Sequence, residues 1–332
     1  MFLHPSFLLF LFSLMVSIVM IFSANSWFMA WLCLELNLLM FIPMIFSSTS
    51  KYSVEASLKY FLIQMVASIM ILASASIMIL GASKMISFFM FAALMLKMGA
   101  APCHQWLPSM VDGLSWPLVF ILLTLQKAGP LSLAPSLNNW FETDMAILIF
   151  IISSALIGAW GGLIQSSLRK ILAFSSIAHL SWILTAMLMM GSMWLTYFCL
   201  YSLLLMSVVA PLMSFQLTKL SQLLAKSSFD PKKLIVFLTL LSLGGLPPFT
   251  GFIPKLLILQ ILMNKSFFFL FSVLLTSAFF TLFFYLRVVV SSMFSASSSS
   301  GPLIWDSPPK PLLLVISVIS LIAPTMGFMV WA

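Results

Sequence analysis

From Pro5 to Ser50 the chain carries one charged side chain, Glu35. Runs of this kind constrain folding more than any other feature here, and they recur along the whole sequence, as in "LFLFSLMVSIVMIF" and "MAILIFIISSALIGAW". Charged residues make up 7% of the 332 and hydrophobic ones 62%, where a soluble domain carries about 25% charged residues. Mean hydropathy is +1.18. A chain so poor in charge cannot cover a water-facing surface, so its solvent is lipid. In hydrocarbon every backbone N–H and C=O must bond internally, which leaves helices or a closed barrel. A barrel would show short segments of alternating polarity. The runs here are continuous and long enough for spanning helices of about 20 residues.

The fold expected is an all-α polytopic membrane protein with about eleven transmembrane helices. Apolar runs and polar breaks place them at Pro5–Phe22, Ser26–Phe46, Glu55–Leu80, Met85–Leu107, Leu114–Leu133, Met145–Gln165, Leu168–Met190, Trp194–Gln216, Lys232–Met263, Phe267–Val290 and Pro311–Trp331. The longest connectors lie near Asn138, Lys226 and Ser299, and "SSMFSASSSSG" reads as a surface loop. "MFLHPSFLLF" has no basic n-region and no small-residue cleavage site, so it reads as the first membrane helix, retained. With eleven spans, one face holds Lys51, Arg169, Lys170, Lys219, Lys226, Lys232, Lys233 and Lys310, and the other holds Lys84 and Lys265 with Glu142 and Asp144. Basic residues mark the inner side of a membrane. The N-terminus is therefore expected inside and the C-terminus outside.

Other functions fit poorly. The net charge is +8, but 15 basic residues spread over the chain make no nucleic-acid stripe. Cys33, Cys103 and Cys199 are scattered, without metal-ligand or disulfide spacing.

Four charges stand where lipid penalises them. Glu35 lies near the middle of the second span, Lys97 in the fourth, Lys127 in the fifth and Lys255 in the ninth. Each costs roughly 2.5–3.5 kcal/mol at a helix centre, so the set costs on the order of 10 kcal/mol unless paired or hydrated. A structural ion pair accounts for one acid and one lysine, not for three lysines. Lysine suits proton transfer, because burial disfavours its charged form while a nearby carboxylate favours it. His179, in "AFSSIAHLSW", is also mid-span. Its imidazole could bridge two lysines, or it could be a core residue satisfied by the serines around it. His104, just past a helix break, suits a local hydrogen bond at least as well as a relay. Lys59, four residues after Glu55, reads as a snorkelling side chain at a helix end.

Two spans are interrupted. The fourth reads "LKMGAAPCHQWLP", with Gly99 and Pro102 after Lys97, and the ninth reads "LSLGGLPPFTGFIPKLLI", with Gly244, Gly245, Pro247, Pro248, Gly251 and Pro254 before Lys255. Lys232 to Met263 would make about 48 Å of straight helix at 1.5 Å per residue. That exceeds a core of about 30 Å, so a loop must absorb the excess. Breaks at membrane depth are tolerated where protein or water meets the freed carbonyls. The broken spans are five apart, an odd number, so a five-helix repeat would be inverted in its second copy. This divides the chain into a first half at 1–140, a second at 141–290, and a loop with a final helix at 291–332. Paired broken helices in inverted halves point to a transport pathway.

The blocks "NSWFMAWLCLELNLLMFIP", "KMGAAPCHQWLP", "LLTLQKAGPLSL", "LRKILAFSSIAHLSW" and "LSLGGLPPFTGFIPK" fall in one order. Together they resemble the subunit 2 family of NADH dehydrogenase in mitochondrial respiratory complex I, among its antiporter-like subunits. Single blocks resemble the related antiporter-like subunits too; the combination, with an N-terminus shorter by three helices, favours subunit 2. The likeness is weakest over 265–332. It implies that Glu35 matches the family's channel carboxylate, Lys97 its partner lysine, Lys127 the central relay lysine and Lys255 the lysine at the second break. "APCHQWLPSM" departs from the family, which more often has aromatics and an acid around the histidine; Ser109 supplies no carboxylate.

The resemblance implies a core membrane-arm subunit translocating protons across the mitochondrial inner membrane, N-terminus on the matrix side and C-terminus on the intermembrane-space side. NADH:ubiquinone electron transfer would occur in partner subunits. No Cys cluster or Gly-rich nucleotide loop stands in this chain, so FMN, iron–sulfur clusters and ubiquinone are expected in those partners and no cofactor in this one. Partners expected are the other membrane-arm subunits, including neighbouring antiporter-like ones, and lipids such as cardiolipin; no nucleic acid is expected. In the expected cycle the Glu35–Lys97 pair opens and closes, and protons shift through Lys127 towards Lys255 for release outward, with His179 as a further relay group. A stand-alone cation/proton antiporter and a structural subunit without transport are the alternatives.

Overall fold

The computed structural model describes residues 5–46, 50–80, 84–140, 145–189, 191–224 and 231–294. The eleventh span expected at Pro311–Trp331 lies outside them. Among the described residues the regular structure is helical, apart from one isolated bridge between Ser167 and Lys219. Among the described residues eight helical runs are long and apolar enough to cross a membrane, one of them the interrupted run Trp116–Leu137. The fourth and ninth expected spans are instead pairs of shorter helices.

The chain divides into two compact units, Met1–Phe150 and Ile151–Ala332. The first holds α1 (Pro5–Phe22), α2 (Trp27–Phe46), α3 (Lys51–Leu80), α4 (Lys84–Met98), α5 (Trp106–Val111), α6 (Trp116–Leu123), α7 (Leu125–Leu133) and a 3-10 helix, Ala134–Trp140. The connector expected near Asn138 is thus helical. The unit boundary falls within α8 (Met145–Ile164). The second unit continues with α9 (Leu168–Met189), α10 (Met193–Ser214), α11 (Leu220–Leu224), α12 (Pro231–Gly244), α13 (Phe252–Asn264) and α14 (Phe268–Phe294).

Burial sorts these helices. Within its best spanning window α9 is 94% buried, whereas α1 is 22% and α3 is 28%. α9 is therefore the central helix of the second unit, while α1 and α3 turn Phe12, Val19, Leu62 and Ile69 outwards. Outward-facing large apolar side chains in such numbers suit hydrocarbon and not water. The polar side chains inside are mostly satisfied locally. Ser17, Ser154, Ser175 and Ser207 each donate to the carbonyl three residues back, the usual way a hydroxyl is accommodated within an apolar helix.

Cations close several helix ends in the second unit. Lys265 Nζ donates to Met189 O (2.6 Å) at the end of α9, and Arg287 Nη1 donates to Leu163 O (2.6 Å) near the end of α8. The last carbonyls of a helix lack intrahelical partners and carry its negative dipole end, so cations belong there. In the first unit Lys59 pairs with Glu55 at 2.6 Å; both are largely exposed. A pair of that kind is worth about 0.3–0.5 kcal/mol.

Candidate functional site

In the first unit α4 ends in its last turn with Lys97, and Gly99 then adopts φ +72°. A Cβ there would lie 2.8 Å from Leu107 Cδ1, so both conformation and space call for glycine. The chain crosses a cis Ala101–Pro102 peptide before α5 begins. The carbonyls freed by the break are met by side chains. Trp106 Nε1 donates to Leu96 O (3.1 Å), and Gln64 Nε2 on α3 donates to Lys97 O (3.2 Å). His104 Nδ1 bonds locally with Pro102 O at 3.1 Å.

Lys97 is 6% exposed. Glu35, on α2 and half-buried, acts on it through space but closes no direct ion pair with it within 4.0 Å. The same carboxylate acts on Tyr60 of α3. Tyr60 Oη donates to Gln126 Oε1 (3.0 Å), and Gln126 Nε2 donates to Asn37 Oδ1 (2.9 Å). Asn37, Tyr60 and Gln126 are all buried. α2, α3 and α7 are thereby joined through one buried network, whose neighbour in sequence on α7 is Lys127, 2% exposed.

Lys127 too adjoins a helix interruption, which lies three residues before it and is announced by no Gly/Pro cluster ahead of it. Thr124, at φ −116° and ψ −78°, separates α6 from α7. The backbone ladder resumes when Lys127 N donates to Thr124 O (3.0 Å), and Thr124 Oγ1 itself turns back to Phe120 O (2.7 Å).

In the second unit α12 ends at Gly244, and Gly245 adopts φ +84°. Lys255, 5% exposed on the first turn of α13, folds back so that its Nζ donates to Gly244 O at 2.8 Å. Its ammonium lies 6.0 Å from the Trp182 ring centre on α9, at the outer limit of a cation–π contact. His179, one turn before Trp182, shares a hydrogen bond at 3.0 Å between Nδ1 and the Tyr197 hydroxyl and lies 5.0 Å from the Tyr201 ring. The buried hydroxyls of Tyr201 and Tyr285 lie beside Ser176 and Ser175, and that of Thr250 is buried without a hydrogen-bond partner. Buried polar groups without protein partners mark places suited to bound water.

The arrangement brings Glu35 and Lys97 within electrostatic reach of one another and places Lys127 on the turn that carries their hydrogen-bonded neighbour Gln126. In the second unit Lys255 lies against α9, the helix that carries His179. Sequence reasoning passed over Asn37, Tyr60, Gln64 and Gln126. One signal was present on α3: Ser53, Ser57, Tyr60, Gln64 and Ser68 recur at three- and four-residue spacing and are all buried, a polar stripe on one helix face.

Chemically, the site offers buried titratable and hydroxyl groups and three lysines beside helix interruptions, one of them, Lys255, bonded to a carbonyl at its break. This equipment can hold, hydrate and pass protons. The comparisons with known proteins follow the same lines. The family described as "NADH:quinone oxidoreductase/Mrp antiporter, TM" matches residues 24–83 and 80–281. NADH-ubiquinone oxidoreductase chain 2 of Anopheles gambiae is 44% identical over 270 residues, covering 78% of this chain and 78% of that protein. A chain of respiratory complex I from Thermus thermophilus superposes with a TM-score of 0.81 at 22% identity, over 96% of this chain and 76% of that one. A chain of the Mrp complex from Dietzia sp. does so at 0.82 and 16% identity, over 97% and 75%. With 258 of its residues spanned by that family and such identity over most of its length, the chain belongs to the NADH:quinone oxidoreductase/Mrp antiporter membrane family, and within it to NADH-ubiquinone oxidoreductase chain 2.

Proposed function

We propose that this chain is a proton-translocating subunit in the membrane arm of respiratory complex I, in the mitochondrial inner membrane with its N-terminus on the matrix side. The observation that carries the reading is the placement of Lys97, Lys127 and Lys255. All three are nearly fully buried, and each adjoins a helix interruption. In this reading Glu35 and Lys97 form the switch of the first unit and Lys127 receives its proton. Lys255, with His179, serves the second unit. The two broken spans belong to inverted five-helix halves, with an eleventh helix added. Flavin, iron–sulfur and ubiquinone chemistry occur in partner subunits, other antiporter-like subunits among them, and cardiolipin contacts the complex.

The test is Lys127→Leu and Lys255→Leu in assembled complex. Leucine inserts into a membrane more readily than an unpaired charge, so assembly is expected to hold while protons pumped per electron fall. An unchanged proton-to-electron ratio in both variants overturns the relay and favours a purely structural subunit. The likeness in fold to a Mrp complex chain supports one other reading, a stand-alone antiporter. Transport by the isolated chain in vesicles would establish it.

A further inference from the structure

The two long breaks end their helices with the same backbone motif and then treat the next carbonyls differently. At the first, Ala100 N donates to Met95 O (3.0 Å) and Gly99 N to Leu96 O (3.1 Å). At the second, Leu246 N donates to Leu241 O (3.4 Å) and Gly245 N to Ser242 O (3.1 Å). Each is a Schellman ending around a glycine in the left-handed region, and it satisfies some of the carbonyls that a helix end leaves without partners. Lys97 O and Gly244 O lie beyond those bonds. At the second break the lysine itself answers, because Lys255 Nζ donates to Gly244 O. At the first break the donor is the side-chain amide of Gln64, 33 residues away on α3, which meets Lys97 O at 3.2 Å.

This exchange of donors decides where each ammonium can act. A cation drawn onto a helix C-terminus is held there by the carbonyls and the dipole, and Lys255 is so held. Lys97 stands in the last turn of α4 with its own carbonyl taken by a neutral amide, which leaves its ammonium to the Glu35 carboxylate. Only the nitrogen of the Gln64 amide can face a carbonyl, so chemistry fixes the amide's orientation. Gln64 is buried, and it lies one turn after Tyr60 on the same face of α3. The Tyr60 hydroxyl holds Gln126, the residue before Lys127. One face of α3 therefore grips both lysine-bearing helices of the first unit, α4 at the peptide of Lys97 and α7 one residue before Lys127. A brace for packing alone could grip α4 anywhere. Because Gln64 grips the peptide of Lys97, a shift at the end of α4 moves the lysine relative to Glu35.

We propose that Gln64 is a positioning residue for Lys97: by holding that residue's carbonyl, it keeps the ammonium in reach of Glu35 and at a set separation from Lys127. This rests on the reading under which Lys97 carries a proton. The test uses assembled complex with Gln64→Met, which keeps the side chain's length and removes its N–H donors, and with Gln64→Asn, which leaves the amide one methylene short of the carbonyl. Protons pumped per electron are measured in vesicles, and Lys97 is located by electron cryo-microscopy. Both variants are expected to assemble, to show the last turn of α4 displaced with Lys97, and to pump less. Losing one hydrogen bond between membrane helices shifts the ratio of held to displaced lysine roughly three- to twentyfold. Unchanged pumping in either variant overturns the proposal, as does lowered pumping with Lys97 still in place. If one variant fails to assemble, the other decides; failure of both makes Gln64 a residue of folding alone and overturns the proposal too. Lys97→Met in the same assay separates the two levels. Unchanged pumping there overturns the proton-carrying role of Lys97 and this proposal with it, whereas lowered pumping there and unchanged pumping in the Gln64 variants overturns this proposal alone.

Discussion

Burying a lysine in a membrane costs roughly 2.5–3.5 kcal/mol, and a helix C-terminus returns about 0.3–2 kcal/mol of that. Lys97 in the last turn of α4 and Lys255 on Gly244 O both use this term, but the balance must come from a carboxylate or from water. For Lys97 the carboxylate is Glu35, acting without direct contact. Glu35→Gln and Lys97→Met should each damage proton output severely, and the double substitution should lose less than the sum, because it removes both buried charges together. A double-mutant cycle scored separately for assembly and for pumping checks this; additive losses in both would mean the residues do not interact. The buried amides carry their own prediction. Gln126→Leu removes the bonds to Tyr60 and Asn37, each worth about 0.6–1.7 kcal/mol between membrane helices. The thermal midpoint of the assembled complex should fall, and fall further than for Tyr60→Phe, which removes one.

At the scale of the element, the two long breaks rest on glycines in the left-handed region. Gly99→Ala and Gly245→Ala each carry about 1–2 kcal/mol of backbone cost. Beyond that they differ. A Cβ on Gly99 would press on Leu107, whereas a Cβ on Gly245 would lie 3.2 Å from both Lys255 Nζ and Gly251 O. Gly99→Ala should therefore reduce assembly first. Gly245→Ala should displace Lys255 from Gly244 O and reduce pumping beyond any loss of assembled complex. Gly191, with open space where a Cβ would go, is the control, and Gly191→Ala should leave both unchanged. Equal losses at Gly191 and Gly245 would refute the assignment. These breaks were legible because Gly and Pro clusters cannot continue a helix. The interruption at Thr124 was not, since threonine sits readily inside membrane helices and nothing in its neighbours marks the turn.

For the molecule as a whole, the distribution of basic residues sets the expected topology. Cysteine probes in assembled complex should label Ser23→Cys from the intermembrane-space side and Lys219→Cys from the matrix side; both positions are exposed. The opposite pattern would mean a miscounted span. Contacts in the second unit agree with the expected order of faces: Lys265 meets Met189 just past the ninth span and at the end of the seventh, and Arg287 meets Leu163 near the ends of the tenth and sixth.

The number and place of apolar runs determined, without any structure, that the chain lies in a membrane as helices, where two of them break, and which four charges require explanation. Those conclusions follow from the chain's local chemistry: hydrocarbon length, proline's missing donor and the cost of a buried charge all act on neighbouring residues. The tertiary structure decided what meets those charges. Tyr60 and Gln126 are 66 residues apart, and Gln126 and Asn37 are 89 apart, so no spacing rule could have paired them. It also decided that Lys255 turns back onto Gly244, and that Gln64 meets the carbonyl of Lys97. Pairings of this kind depend on which faces three or four helices present to one another, and that is fixed only when they pack.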